Sequence, residues 1–216
     1  IPTKKPIILD LGCGTGISTR QLTSKKGVII GCDRDAKMLN IALRYKRANI
    51  SYKRGAAEKL PFVSGEFDAV TSFMAFHWFM NRKAITEIKR VLKPHGVLCI
   101  IQLRFARSTG LRIILERELK QKIPKKYKNS DEIIPFLTKN GFQVKRRVVK
   151  SHVKYTLTEY VRLLKSYSAW NYVPLKRRTE IENVAKMHFS KKLQNGYIRN
   201  VKDVEVIIGI KIVLKH

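Results

Sequence analysis

Cysteine is scarce in this 216-residue chain, with only Cys13, Cys32 and Cys99. They are odd in number, far apart and free of any C-x-x-C pair, which excludes a disulfide framework and a cysteine zinc site; they read as small buried residues, and no metal is expected. Long apolar runs are missing too. None approaches the roughly 18 residues needed to span a bilayer, and the first candidate strand begins too near Ile1 for a signal peptide to fit. The chain is therefore expected in the cytoplasm, as a monomer without a membrane partner. Internal repeats and low-complexity linkers are absent. Acidic residues are few, 16 against 45 Lys and Arg, for a formal net charge of +29.

What is present begins at Ile8–Gly16, ILDLGCGTG. An apolar stretch carrying Asp10 runs into a loop with glycine at 12, 14 and 16, the signature of a strand ending in a cofactor-binding turn. Glycine there opens backbone angles closed to other residues and lets a ligand lie against the main chain. Ile17-Ser18-Thr19-Arg20-Gln21-Leu22 then starts a helix. A nicotinamide or flavin turn, G-x-G-x-x-G, requires glycine at 17, and position 17 is Ile. A second apolar run, Gly27–Asp35, closes on Asp33. In a doubly wound sheet that carboxylate lies beside the glycine turn, within reach of ribose hydroxyls; the alternative is that Asp33 caps the helix beginning near Ala36.

The rest alternates strand and helix, which predicts an α/β fold: a Rossmann-like, doubly wound, mostly parallel sheet with an antiparallel last strand and a helical lid insertion. Strands are expected at 7–11, 28–32, about 50–54, 67–73, 96–103, 142–150 and 204–214. Helices are expected at about 81–92, 108–122 and 131–140, with the helical insertion at about 156–195. Lys93-Pro94-His95-Gly96 should stop the third helix, with glycine making the turn into strand five. A single domain over 1–216 is expected, with a cofactor half at 1–103 and a substrate and lid half at 104–216. A chain of this length buries roughly 70% of its unfolded surface in one core.

The glycine turn, Asp10 and Asp33 together resemble the class I S-adenosylmethionine-dependent methyltransferases, and the likeness continues through Gly55–Phe62 (GAAEKLPF), Phe67–Phe79 (FDAVTSFMAFHWF) and the RVLKPHGVL segment. The resemblance implies S-adenosylmethionine as cofactor. It implies contacts from Asp10, Gly12, Gly14, Gly16, Asp33, Ala57, Glu58 and the backbone at Phe73. Ala56 occupies the position where the family commonly has Asp or Asn for the adenine amino group, so adenine would rely on backbone contacts. The resemblance also implies a covering segment before Ile1.

After strand four, the family's base and glutamine methylases carry an Asn/Asp-Pro-Pro-aromatic tetrad, and this chain has Met74-Ala75-Phe76-His77-Trp78-Phe79. A Pro-Cys nucleophile for carbon-5 methylation is also missing. The His-Trp-Phe cluster is similar to the small-molecule branch that includes trans-aconitate methyltransferases, and Tyr155–Val161 and Lys165–Trp170 look like its substrate-side helix. On that likeness His77, Trp78, Tyr167 and Trp170 are candidate substrate residues, with His77 the candidate catalytic one. Each aromatic has a packing alternative, and His77 could be a structural histidine. The expected partner is an anionic small molecule, methylated on a carboxylate or other oxygen.

The charge leaves alternatives open. Residues 1–103 hold 18 basic and 7 acidic residues, and 104–216 hold 27 and 9. Runs at Lys125–Lys128, Lys145–Arg147 and Lys176–Arg178 could track a phosphate backbone, draw in an anionic substrate, or be solvated faces. An RNA methyltransferase and a catalytically silent cofactor-binding subunit are the alternative functions.

Overall fold

A computed structural model describes residues 5–22, 27–45, 47–104, 110–124 and 130–212. The apolar run closing on Asp10 forms β1 (Ile7–Leu11), and the glycine turn leads into a short helix, α1 (Ile17–Gln21). Next come β2 (Val28–Asp33), α2 (Ala36–Ala42), β3 (Ile50–Arg54), β4 (Phe67–Phe73) and α3 (Arg82–Val91). The remaining elements are β5 (Leu92–Arg104), α4 (Gly110–Leu119), α5 (Ser130–Lys139), β6 (Phe142–Tyr155), α6 (Leu157–Lys165), α7 (Arg178–Ser190) and β7 (Ile198–Lys211). They make one seven-stranded sheet in the order β3-β2-β1-β4-β5-β7-β6. The first five strands are parallel, and β7 runs antiparallel between β5 and β6. This is the Rossmann-like arrangement expected, antiparallel last strand included.

The chain divides into two compact units. One comprises Ile1–Gln102, Tyr127–Val148 and Glu205–His216; the other comprises Leu103–Lys126 and Val149–Val204. The division does not follow the two sequence halves, because α5, the start of β6 and the end of β7 fall in the first unit.

In the first unit the core is built where β1, β4 and β5 meet α3 and α5. Ala84, Ile85, Ile88 and Val91 of α3 recur at helical spacing and are all buried, packed with Leu9, Val70, Leu98 and Ile100. Burying an isoleucine fully contributes about 1.5–3 kcal/mol. The second unit has its own core, in which Leu111, Ile114 and Leu115 of α4 pack with Leu164, Trp170, Ile181, Phe189 and Ile198. Helix α6 opens on a complete capping box, Thr156 with Glu159. The predicted insertion resolves into α6, α7 and two 3-10 turns at Ser168–Tyr172 and Leu175–Arg177.

Several boundaries differ from expectation. Strand β5 begins at Leu92, directly after α3, because Phe67 pairs with Leu92 and Ala69 with Val97, leaving Lys93–Gly96 as an excursion within a paired strand. Its left-handed residue is His95 (φ 59°), not Gly96. A Cβ on Gly96 would lie 2.9 Å from the Lys93 carbonyl oxygen, so Gly96 is required for space. Asp68 lies at the irregularity, accepting from the Ile7 N–H at 2.8 Å and Lys93 Nζ at 2.9 Å. Strands β6 and β7 are both longer than expected. Residues 108 and 109 of the helix expected at 108–122, residues 213 and 214 of the last expected strand and the basic run at 125–128 lie outside the described residues.

One pair on α3 fastens the loop after β3. Glu87 accepts from the Leu60 N–H at 2.7 Å and from Arg90 Nε and Nη2 at 2.7 and 2.8 Å, while Arg90 donates to the Phe62 carbonyl at 2.7 Å and the Leu60 carbonyl at 3.1 Å. Arg90 holds the Glu87 carboxyl below its ordinary value of 4.5, and the Leu60 N–H assists against the effect of burial. A depressed carboxyl favours the folded state fully above its unfolded pKa, and that contribution is lost as pH falls through the native value. Glu87→Gln should therefore lower stability by about 1–2 kcal/mol at neutral pH, between an exposed ion pair and a charged hydrogen bond. Urea unfolding should show the difference shrinking in acid; a difference independent of pH would contradict this role.

Candidate active site

The carboxyl ends of β1, β2 and β4 open on a cleft of about 480 Å³, within the range of about 300–1,000 Å³ for small-molecule sites. All of its lining belongs to the first unit. The glycine turn forms its floor, tied to β2 by Gly12 N–H and Cys13 N–H donating to the Cys32 carbonyl at 2.8 and 3.2 Å. Gly12, Gly14 and Gly16 all have positive φ, but they serve different ends. A Cβ on Gly12 would lie 2.5 Å from Ala75 Cβ, so this glycine lets the loop close on the segment after β4. Gly14 has nothing within 4 Å of a built Cβ and lines the cleft, leaving main chain open to a ligand. Gly16 is not in the lining: the Tyr52 hydroxyl would be 2.3 Å from its Cβ. Its glycine accommodates the β3 tyrosine.

Asp33 lies at the end of β2, in the cleft. Its Oδ2 accepts from the Gly14 N–H at 2.8 Å and its Oδ1 from the Asp35 N–H at 2.9 Å. The cap of α2 is Asp35, accepting from Lys37 and Met38 N–H, so the capping alternative for Asp33 is set aside. Asp10 does not reach the cleft. It is fully buried, with Oδ2 accepting from Ser18 Oγ at 2.8 Å and Thr19 Oγ1 at 2.7 Å, and Oδ1 from Thr71 Oγ1 at 3.1 Å. Burial raises its pKa, against the pull of the three hydroxyls, and the Asp33 charge adds to the rise. Asp10 thus shapes the loop without touching its contents.

The opposite wall comes from the loop after β3 and the turn after β4. Ala57 and Glu58 both line the cleft, and Glu58 Oε1 accepts from Asn81 Nδ2 at 2.9 Å while Asn81 Oδ1 caps α3. Phe73, Met74, Ala75, Trp78 and Phe79 complete the lining. Met74 holds a left-handed backbone, φ 54°, a conformation costly for a side-chain-bearing residue. Trp78 is 60% exposed at the cleft. His77 is not in the lining; its ring lies 4.8 Å from that of Trp78, and burial lowers its pKa, leaving the imidazole neutral at physiological pH. Burial lifts the Cys32 thiol to about 12 and raises Cys13 further, so neither is a thiolate.

Of the residues expected to touch substrate, Tyr167 and Trp170 belong to the second unit. Tyr167 accepts a hydrogen bond from Lys202 Nζ at 2.9 Å. Trp170 is 4% exposed, its indole given to that unit's core. Among the described residues no cluster of three or more His, Cys, Asp or Glu could hold a metal, and no helix is long and apolar enough to cross a membrane. The sequence reading missed Arg34, Asp35 and Met38, which also line the cleft. Their only signal was adjacency to Asp33.

Comparison with known proteins agrees with this geometry. The family model described as a methyltransferase domain matches residues 9–100. An uncharacterized methyltransferase of Schizosaccharomyces pombe is 30% identical over 190 residues, covering 84% of this chain and 70% of its own length. Three further curated relatives each match 44% of this chain, and the chain spans less than half of their length. Among solved structures, the Bacillus subtilis YcgJ protein superposes with a TM-score of 0.64 at 22% identity, over 98% of this chain and 94% of that one. A Haemonchus contortus phosphoethanolamine N-methyltransferase 2, solved with S-adenosyl-L-methionine, superposes with a TM-score of 0.59 at 20% identity, over 97% of this chain and 50% of its own.

The two cleft glycines make separable predictions. Gly12→Ala should lower stability by about 2–5 kcal/mol, from backbone strain plus overpacking against Ala75. Gly14→Ala should cost only the strain, about 1–2 kcal/mol. Equal shifts in denaturant midpoint for the two variants would contradict the loop geometry.

Proposed function

The chain belongs to the methyltransferase family, whose methyl donor is S-adenosylmethionine, and we propose that its acceptor is an anionic small molecule methylated on oxygen, a carboxylate first. The residues fit the donor. Gly14 leaves main chain open on the cleft floor, the Gly12 turn closes tightly on Ala75, and the Asp33 carboxylate faces the same space. On this reading Gly12 and Gly14 carry the methionine part, Asp33 receives the ribose hydroxyls, and the backbone around Ala57 and Glu58 meets adenine, with Phe73 beside the reacting end. Asp10 and Gly16 are positioning residues for the loop. S-adenosylmethionine supplies, when bound, a methyl carbon made electrophilic by its sulfonium.

The observation that carries the acceptor class is the lining that follows β4. Met74, Ala75, Trp78 and Phe79 supply that wall, and none of them carries a carboxamide, carboxylate or imidazole that could take a proton from an attacking nitrogen or hydroxyl. A carboxylate acceptor is already ionised and needs no base, so the protein's work is alignment and exclusion of water. The apolar wall suits both. Neutral His77, outside the lining, supports the same reading, and its role becomes the orientation of Trp78 through ring contact.

Labelled S-adenosylmethionine incubated with the protein and a metabolite extract, followed by mass identification of the labelled product, names the acceptor. On that acceptor His77→Gln should retain most of its turnover, while Trp78→Ala should lose considerably more by opening the wall to water. A His77→Gln loss of about 10²–10⁴-fold, typical of a removed general base, with Trp78→Ala little changed, would overturn the carboxylate assignment.

A further inference from the structure

The second unit carries a polar group at the margin of its own core. Ile198, Asn200 and Lys202 stand at alternate positions of β7 and project from one face of the strand. Ile198 is buried in the core with Leu164, Trp170 and Phe189. The next two positions on that face carry donors. Asn200 Nδ2 is buried and has no hydrogen-bond partner among the described residues. The Lys202 ammonium, itself half-buried, donates to the Tyr167 hydroxyl at 2.9 Å and lies 5.5 Å from the centre of that ring. All 16 acidic residues of the chain are among the described residues, and none pairs with Lys202.

A desolvated ammonium without a counter-charge and a buried amide donor without an acceptor are both unfavourable alone. Their needs coincide, since the Nδ2 amide and the ammonium each offer N–H to an acceptor. An oxyanion against that face would accept from both, across the roughly 7 Å between alternate strand residues that the long lysine side chain can shorten. Tyr155 acts electrostatically on Lys202, and its ring, 5.9 Å from that of Tyr160, adds apolar surface on the Lys202 side. That suits an anion with a short carbon body better than a bare ion.

We propose that the second unit holds a binding position for a small organic carboxylate, received by the Lys202 ammonium and the Asn200 amide, with the Tyr167 hydroxyl orienting the ammonium. The position rests on second-unit residues alone and stands whether or not the methyl acceptor is the carboxylate proposed above.

Calorimetric titration of the full chain with succinate, and separately with inorganic phosphate, tests it. Succinate should bind with a dissociation constant of about 1–10 mM. Lys202→Met and Asn200→Leu should each weaken it at least about tenfold, and Lys202→Arg should largely retain it. S-adenosylmethionine affinity should be unchanged in all three variants, which reports intact folding and separates failure here from failure of the methyltransferase reading. Phosphate binding that depends on Lys202 but excludes succinate would support the oxyanion position and overturn the carboxylate assignment. Succinate binding unchanged in Lys202→Met and Asn200→Leu, or no binding of either anion to the wild type, would overturn the position itself.

Discussion

A fully buried carboxylate is the constraint on which the cleft depends. Asp10 is the penultimate residue of β1, in the middle of the sheet, where an unpaired charge would be prohibitive. Three hydroxyls solve the problem, two from the first turns of α1 and one from β4. The solution fixes more than a charge. Because Ser18 and Thr19 must reach back to Asp10, α1 has to begin close to β1, and the intervening chain must turn within a few residues, which only a glycine-rich loop can do. That turn leaves the Gly14 N–H pointing at Asp33 and Gly12 under Ala75. Floor, the Asp33 carboxylate and far wall are thereby set by one group that lies outside the cleft lining.

Much of this was legible in the sequence, and the parts that were not share a cause. The short parallel strands were visible as apolar runs closing on Asp10, Asp33 and Phe73, because a strand buried on both faces leaves a continuous signal. Gly12, Gly14 and Asp33, whose signals are local in the sequence, all line the cleft. Gly16 looked identical to its neighbours, but what it accommodates is Tyr52, 36 positions later in the sequence. His95 gave no sign of a left-handed backbone beside the more obvious Gly96. The Glu87–Arg90 clamp on Leu60 and Phe62 was likewise invisible, since its partners meet only when α3 packs. The indole of Trp170 was read as a substrate wall from its neighbours in sequence, whereas the second core claims it.

The excess of positive charge gains a partial physical account from the sheet order. Strands β3 and β6 are the two edges, and an edge with free N–H and C=O groups invites pairing with another chain. Lys53 and Arg54 on β3, and Lys145, Arg147 and Lys150 on β6, are exposed, and charges of this kind oppose edge-to-edge association. Arg146 has a separate task, closing on buried Glu205, which also accepts from Gln102 at 2.9 Å. Of the runs that suggested a phosphate track, Lys145–Arg147 therefore has uses in the fold.

The central claim is that the glycine turn and Asp33 form one donor site, and titrating S-adenosylmethionine into the wild type and Asp33→Ala by calorimetry tests it most directly. Loss of charged hydrogen bonds worth about 1.5–3 kcal/mol should weaken binding roughly ten- to hundredfold, with NAD showing no binding to either protein. An unchanged dissociation constant in Asp33→Ala, or wild-type binding of NAD in place of S-adenosylmethionine, would contradict the account.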